Sequence, residues 1–228
     1  MSRRFVLAAA GAVVLAPVAS ASTSPGQTLA SSLDAARSQR SVHYVSVGNT
    51  GSVRVTMVGD AGLDRGIQRI TVRKGSRTGH VTVLVVANTA YVRGDAFTLQ
   101  NYMGFKAPDA GEYAGKWILI PHDAGGFATV AAGVRLASTI DEAKLPAPLV
   151  SVPATTVSGE RVVGVASSRR VSGHMTTVTL YIRAKGAPLP VEEVARQGSN
   201  SFKVTFSGWN ERVAVDAPSH VVHLANTA

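Results

Sequence analysis

The sequence predicts an α+β domain in which helices cover one side of a curved antiparallel sheet. Three observations lead there. Several short runs alternate apolar with polar residues, helix start and stop signals lie before and between those runs, and no linker is long enough to divide the chain. The resulting order is helix, strands, helices, strands.

The first residues are set apart from this plan. Met1 to Arg4 is short and positive, Phe5 to Val18 is almost wholly apolar, and Ala19-Ser20-Ala21 offers the small residues a signal peptidase reads. That order predicts a removable export signal over 1–21 and a single domain over 22–228. The apolar run falls short of the roughly 20 residues a spanning helix needs. Arg3-Arg4 before Phe5 also fits part of a twin-arginine signal, so two export routes stay open. The expected location is the periplasm, cell wall or exterior, with the domain soluble once the signal is gone.

Ser24-Pro25-Gly26-Gln27 predicts a helix start, with a serine cap, a proline in the first turn and a glutamine closing a capping box. Leu29, Leu33 and Ala36 then share one face. Strands follow. Val53, Val55 and Met57 alternate with Arg54 and Thr56, and Ile70 and Val72 alternate with Arg69, Thr71 and Arg73. Val81, Val83 and Val85 alternate less cleanly, since Leu84 and Val86 are apolar too. Turns are expected over 59–66 and 74–79. Asp95 caps a helix carrying Leu99, Tyr102 and Met103, with Gly104 closing it. Thr139-Ile140-Asp141-Glu142 reads as a second capping box. The last third returns to strands. A hairpin turns at Gly159-Glu160, Val178, Leu180 and Ile182 alternate with Thr179 and Tyr181, and Phe202, Val204 and Phe206 alternate with Lys203 and Thr205.

Charge and chemistry exclude more than they name. The net charge is +9, and losing Arg3 and Arg4 with the signal leaves +7. Such a basic exported domain suits an anionic envelope surface, or simply solubility, and export argues against nucleic acid. There is no cysteine, hence no disulfide, thiolate site or acceptor for a lipoprotein acyl anchor. No Gly-x-Ser-x-Gly elbow and no phosphate loop occur, and Trp117 stands where a phosphate loop after Lys116 needs Ser or Thr. His220 and His223 lie in an extended stretch, where residues three apart face opposite ways, so they predict no metal pair. Asp60 and Asp64 read as turn residues, and Asp141 and Glu142 as first-turn and capping carboxylates. Arg69, Arg73, Lys74 and Arg77 read as a solvated outer face that is also able to meet phosphate or an acidic polymer. The expectation is no enzyme and no cofactor.

The order of several segments is similar to a known family. The pieces are the first helix leading into Ser41-Val42-His43-Tyr44, then Ala90-Tyr91-Val92-Arg93-Gly94 before a short helix, then Gly115-Lys116-Trp117-Ile118. Thr179-Leu180-Tyr181-Ile182, Pro188-Leu189-Pro190-Val191 and Phe206-Ser207-Gly208-Trp209-Asn210 follow. Together they resemble the LppX/LprAFG envelope lipoproteins, within the wider LolA/LolB-like carriers. The resemblance implies a half-open barrel wrapped over helices, with an apolar cavity for acyl chains of a lipid, glycolipid or lipoprotein. The lipidated cysteine of that family is missing here. On composition alone a closed core is the expected interior; the resemblance shifts the expectation to a cavity.

The expected cavity lining is Val55, Met57, Ile70, Val72, Val83, Leu99, Tyr102, Met103, Val178, Leu180, Ile182, Val204 and Phe206. Leu99 and Met103, four apart on the helix after Asp95, are expected at the cavity mouth. Two functions fit: an exported carrier of acyl-bearing lipid, or an envelope module binding protein or anionic polymer through its sheet and basic face.

Overall fold

A computed structural model describes residues 23–171 and 173–224. The export signal expected over 1–21 lies outside the described residues. Helix α1 (Pro25–Arg37) opens with the anticipated capping box: Ser24 and Gln27 satisfy each other's backbone N–H groups. Five strands follow: β1 (Ser41–Thr50), β2 (Val53–Gly62), β3 (Arg65–Lys74), β4 (Arg77–Val86) and β5 (Thr89–Gly94). The middle of the chain supplies α2 (Ala96–Tyr102), α3 (Ala107–Tyr113), β6 (Ile118–Pro121), α4 (Phe127–Ala131), a 3-10 turn (Ala132–Val134) and α5 (Leu136–Glu142). The remaining strands are β7 (Leu149–Val157), β8 (Glu160–Val171), β9 (His174–Arg183), β10 (Pro190–Gln197), β11 (Asn200–Ser207) and β12 (Val222–His223).

The twelve strands among the described residues form one open sheet in the order β12-β6-β5-β4-β3-β2-β1-β11-β10-β9-β8-β7. Every neighbouring pair is antiparallel except the short β12–β6 pair. This is the α+β plan that the residue patterns predict, in the half-barrel form that the resemblance implies. Its backbone connections are tight. The β2–β3 and β3–β4 turns are only Leu63-Asp64 and Gly75-Ser76, so the turns expected over 59–66 and 74–79 are mostly strand. Asp60 therefore sits within β2, where its carboxylate meets His43 Nδ1 at 2.7 Å. The β7–β8 hairpin turns at Ser158-Gly159, one residue earlier than expected. Both residues have positive φ (50° and 82°), the backbone a two-residue hairpin favours.

The pairing register divides the sheet into two faces. Val55, Met57, Ile70, Val72, Val83, Val178, Leu180, Ile182, Val204 and Phe206 share the concave one. Thr71, Thr179 and Lys203 share the convex one. Helices cover the concave face at two places. In one cluster, α1 (Leu29, Leu33, Ala36) and α5 (Leu136, Ile140) pack on Leu180, Ile182 and Phe206. In the other, Leu99, Ala110, Phe127 and Val134 pack on Val81, Val83 and Val92. A third, smaller cluster lies on the convex side, where Val215 and Val221 of the C-terminal segment cover Ile67, Leu84 and Tyr91. That cover explains the impure alternation of β4. Leu84 is apolar because its outward face is also buried.

One element differs in kind from expectation. Thr139 does not begin a helix; α5 starts at Leu136 and ends at Glu142. The Thr139 hydroxyl donates back to the Arg135 carbonyl at 3.1 Å inside that helix. Asp141 consequently lies at the helix end. There it pairs with Lys144 at 2.8 Å and Arg37 at 3.1 Å, whose hydrogen bonds hold its carboxyl below the usual range.

Candidate lipid-binding cavity

Two glycines let the helical layer approach the sheet. A Cβ on Gly66 would lie 2.0 Å from the Val134 carbonyl oxygen, and one on Gly59 would lie 2.4 Å from the Tyr44 ring. The 3-10 turn can therefore seat directly on β3, and the Tyr44 ring lies flat across β2. The Tyr44 hydroxyl donates to the Gly133 carbonyl at 2.5 Å and accepts from Gln68 Nε2 at 2.6 Å. Gln68 also lies 3.5 Å from the Met57 sulfur. This buried pair ties β1 and β3 to the helical layer. Burial pushes the Tyr44 hydroxyl well above the ordinary tyrosine range, so it stays a proton donor.

Beside this tie a space of about 320 Å³ remains between the concave face and the segment from α4 to α5. It lies at the small end of the range of about 300–1,000 Å³ usual for ligand pockets. Met57, Phe202, Val204 and Phe206 give it an apolar floor, and Ala132 and Ala143 part of its roof. The cross-strand rows explain the floor. One row reads Ile70, Met57, Ser46, Val204, Glu193, Leu180 and Val165; the next reads Val72, Val55, Gly48, Phe202, Ala195 and Val178. Helices leave the second row thinly covered, and Val55, Phe202 and Val178 are half-buried.

Besides Tyr44, Gln68, Thr129 and Thr139, the lining holds Ser46, Glu142 and Glu193. Ser46 is 1% exposed, and its hydroxyl has no hydrogen-bond partner among the described residues. Glu193 projects from β10 and Glu142 stands at the exposed rim on α5. Burial, and secondarily the Glu142 charge, pushes Glu193 up to about 7; burial also raises Glu142. Among the described residues no lysine, arginine or histidine lines the space.

Of the thirteen residues expected to line a cavity, Met57, Val204 and Phe206 line this one. Val55 and Val178 lie in the half-buried row beyond it. Leu180 and Ile182 are sealed beneath α1 and α5, and Val83 beneath the middle helices, with Ile70 against the same group. Val72 is fully buried on the same face. The helix expected at the mouth, α2, sits elsewhere. Leu99 is fully buried in the second, closed cluster. Met103 borders a separate shallow pocket with Phe105 and Tyr113, and Tyr102 is 39% exposed with its ring edge-on to Phe97. The reason is local. Asp95 accepts from the His80 and Thr98 N–H groups, which anchors α2 at the end of β4 and away from α5.

Sequence reasoning missed Tyr44, Gln68, Ser46, Glu142 and Glu193. Period-two spacing does put Ser46 and Glu193 on the inner face once β1 and β10 are placed. The signal was available as polar residues at apolar positions of a strand.

Among the described residues no group of three or more His, Cys, Asp or Glu side chains is placed to hold a metal, and no helix is long and apolar enough to cross a membrane. The family model for the LppX_LprAFG lipoproteins matches residues 24–215. LprF of Mycobacterium bovis has a similar solved structure at 15% identity, covering 85% of this chain and 96% of LprF, with a TM-score of 0.58. LppX of Mycobacterium tuberculosis aligns over 83% of this chain and 96% of its own at 16% identity, with a TM-score of 0.49. No curated protein sequence matches this chain. The family match spans most of the sequence, and the fold independently resembles that of LprF; the chain belongs to the LppX_LprAFG lipoprotein family.

Proposed function

We propose that this protein is an exported carrier that holds acyl chains of a lipid or glycolipid in its concave cavity and moves them within the cell envelope. The observation carrying this reading is the space left between α4–α5 and the apolar floor of Met57, Val204 and Phe202. A well-packed core rarely leaves voids larger than a water molecule. An acyl chain gains about 0.8 kcal/mol per buried methylene, so a chain of ordinary length is held firmly even in a partly open groove. The half-buried row Val55, Phe202, Ala195 and Val178 extends the apolar track past the cavity. Carriage needs binding and release but no covalent step, consistent with an enzyme-free reading of the motifs.

The working domain in this proposal is residues 22–228, with 1–21 removed on export. Lacking cysteine, the chain has no thiol to acylate, so it works untethered by that route. The test is uptake of a fluorescent acyl probe by the purified domain, with Val204→Trp as the blocked variant. Saturable uptake lost in Val204→Trp supports carriage. Uptake unaffected by filling the cavity contradicts it.

One observation favours a second role for the convex face. Arg54 and Arg73 face each other across β2 and β3 beside Thr56 and Thr71, and neither has an ion-pair partner among the described residues. This strip suits contact with an anionic envelope surface. Salt-dependent binding to anionic vesicles, weakened in Arg54→Glu/Arg73→Glu, is the expected result; binding to neutral vesicles alone contradicts it.

A further inference from the structure

Most polar atoms around the cavity are already occupied. Tyr44 and Gln68 bond each other, Tyr44 also bonds Gly133, and Thr139 bonds its own helix. Apart from the exposed Thr129 hydroxyl, three groups are left over: the Ser46 hydroxyl and the carboxyls of Glu142 and Glu193, none with a hydrogen-bond or ion-pair partner among the described residues. Ser46 is the most telling. A buried hydroxyl without a partner loses its water and gains nothing in return. It sits on the cavity floor next to Val204, and Glu193 sits next to Val204 on the other side.

We infer that Ser46, Glu193 and Glu142 form a polar subsite that takes the head of the acyl ligand and selects heads that donate hydrogen bonds without negative charge, namely hydroxyl or ammonium groups, over phosphate or carboxylate. This rests on the carrier reading. The chemistry is that of the donor and acceptor set. Glu142 and the ionised form of Glu193 accept only, Glu193 near pH 7 also spends part of its time protonated, and the serine hydroxyl turns to accept or donate. A hydroxyl or ammonium donates to this set. A phosphate brings chiefly acceptors and its own charge, and among the described residues no lysine, arginine or histidine lines the space to meet it. Burial raises Glu193 first and repulsion from Glu142 adds to it, so negative charge is already disfavoured in this space. A third anion adds to that repulsion, whereas a donor relieves it.

The test is competition against a bound fluorescent acyl probe by three ligands of one chain length at neutral pH: oleoylglycerol, oleylamine and oleoyl lysophosphatidic acid. A hydrogen bond to a charged group contributes about 1.5–3 kcal/mol, so the glycerol and amine ligands should each compete about tenfold or more better than the phosphate. In Glu193→Gln, and more fully in Glu142→Gln/Glu193→Gln, this preference should collapse. In Ser46→Ala it should narrow. A preference for oleylamine alone assigns the subsite to ammonium heads, and equal preference for both assigns it to donors in general. Both outcomes support the inference. The wild-type protein alone is enough to overturn it: equal or tighter binding of the phosphate ligand does so while leaving the carrier reading intact. Failure of every ligand to displace the probe, or of the probe to bind, overturns the carrier reading itself.

Discussion

Ser46 and Glu193 stand in one cross-strand row of the concave face, two strands apart, with Val204 between them. At roughly 4.8 Å per strand they are about 10 Å apart. Polar groups thus bracket an apolar floor, an arrangement a closed core has no use for.

Val204 borders empty volume, so a larger side chain there should fill space instead of straining the core. Val204→Trp should abolish acyl-probe uptake. Overpacking a filled core costs about 1–3 kcal/mol; here the loss should fall at or below the bottom of that range. Probe titration and urea unfolding of the same sample check both halves.

Leu99 belongs to the closed cluster with Val81, Val92 and Ile118 and is fully buried. Leu99→Ala should cost about 2–5 kcal/mol, as for other buried leucines. Probe affinity below the melting transition should stay as in the wild type. Altered affinity in the folded variant would place α2 in the binding site after all.

Gly66 is where the 3-10 turn meets the sheet. Because its Cβ would strike a backbone carbonyl and not a flexible side chain, the contact has no cheap way to relax. Gly66→Ala should destabilise by about 1–3 kcal/mol and loosen the cavity roof. Denaturant midpoints measure the first effect and amide exchange over 132–142 the second.

Glu193 predicts a pH dependence whose sign is fixed. Its folded value, about 7, lies above the ordinary 4.5, so the folded state holds the proton more tightly. The stability it contributes is complete below about pH 4.5 and is lost as pH rises through about 7. At about 1.4 kcal/mol per unit the loss is at most on the order of 3 kcal/mol, less whatever solvent reaches the group. Glu142, also raised by burial, acts in the same direction. Asp95 and Asp141, both held below the ordinary carboxylate value, act only in more acidic solution. Urea unfolding from about pH 5 to about pH 8 should show falling stability, and Glu193→Gln should flatten much of that slope.

The antiparallel sheet with one buried face was legible because period-two spacing survives wherever one face is buried; its half-barrel form came from the resemblance. Val178, Leu180 and Ile182 needed no more than that. The α1 capping box was equally plain. Thr139 to Glu142 misled because the same four residue types fit a helix start or a helix end, and packing of Leu136 and Ile140 against α1 decides between them. The cavity was less legible. Its lining comes from strands far apart in sequence, such as β2 and β11, and which inner residues stay uncovered depends on where α5 lands. Leu99 and Val204 look alike in sequence; one is sealed and the other borders open space.

The carrier reading predicts that the protein leaves its host carrying lipid. The most direct measurement is purification from the native host without detergent, organic extraction, and mass spectrometry of the extract against protein quantity. The expected result is an acyl-bearing lipid in near-stoichiometric amount from the wild type and little from Val204→Trp. Wild-type protein that yields no bound lipid and takes up no acyl probe would contradict the account.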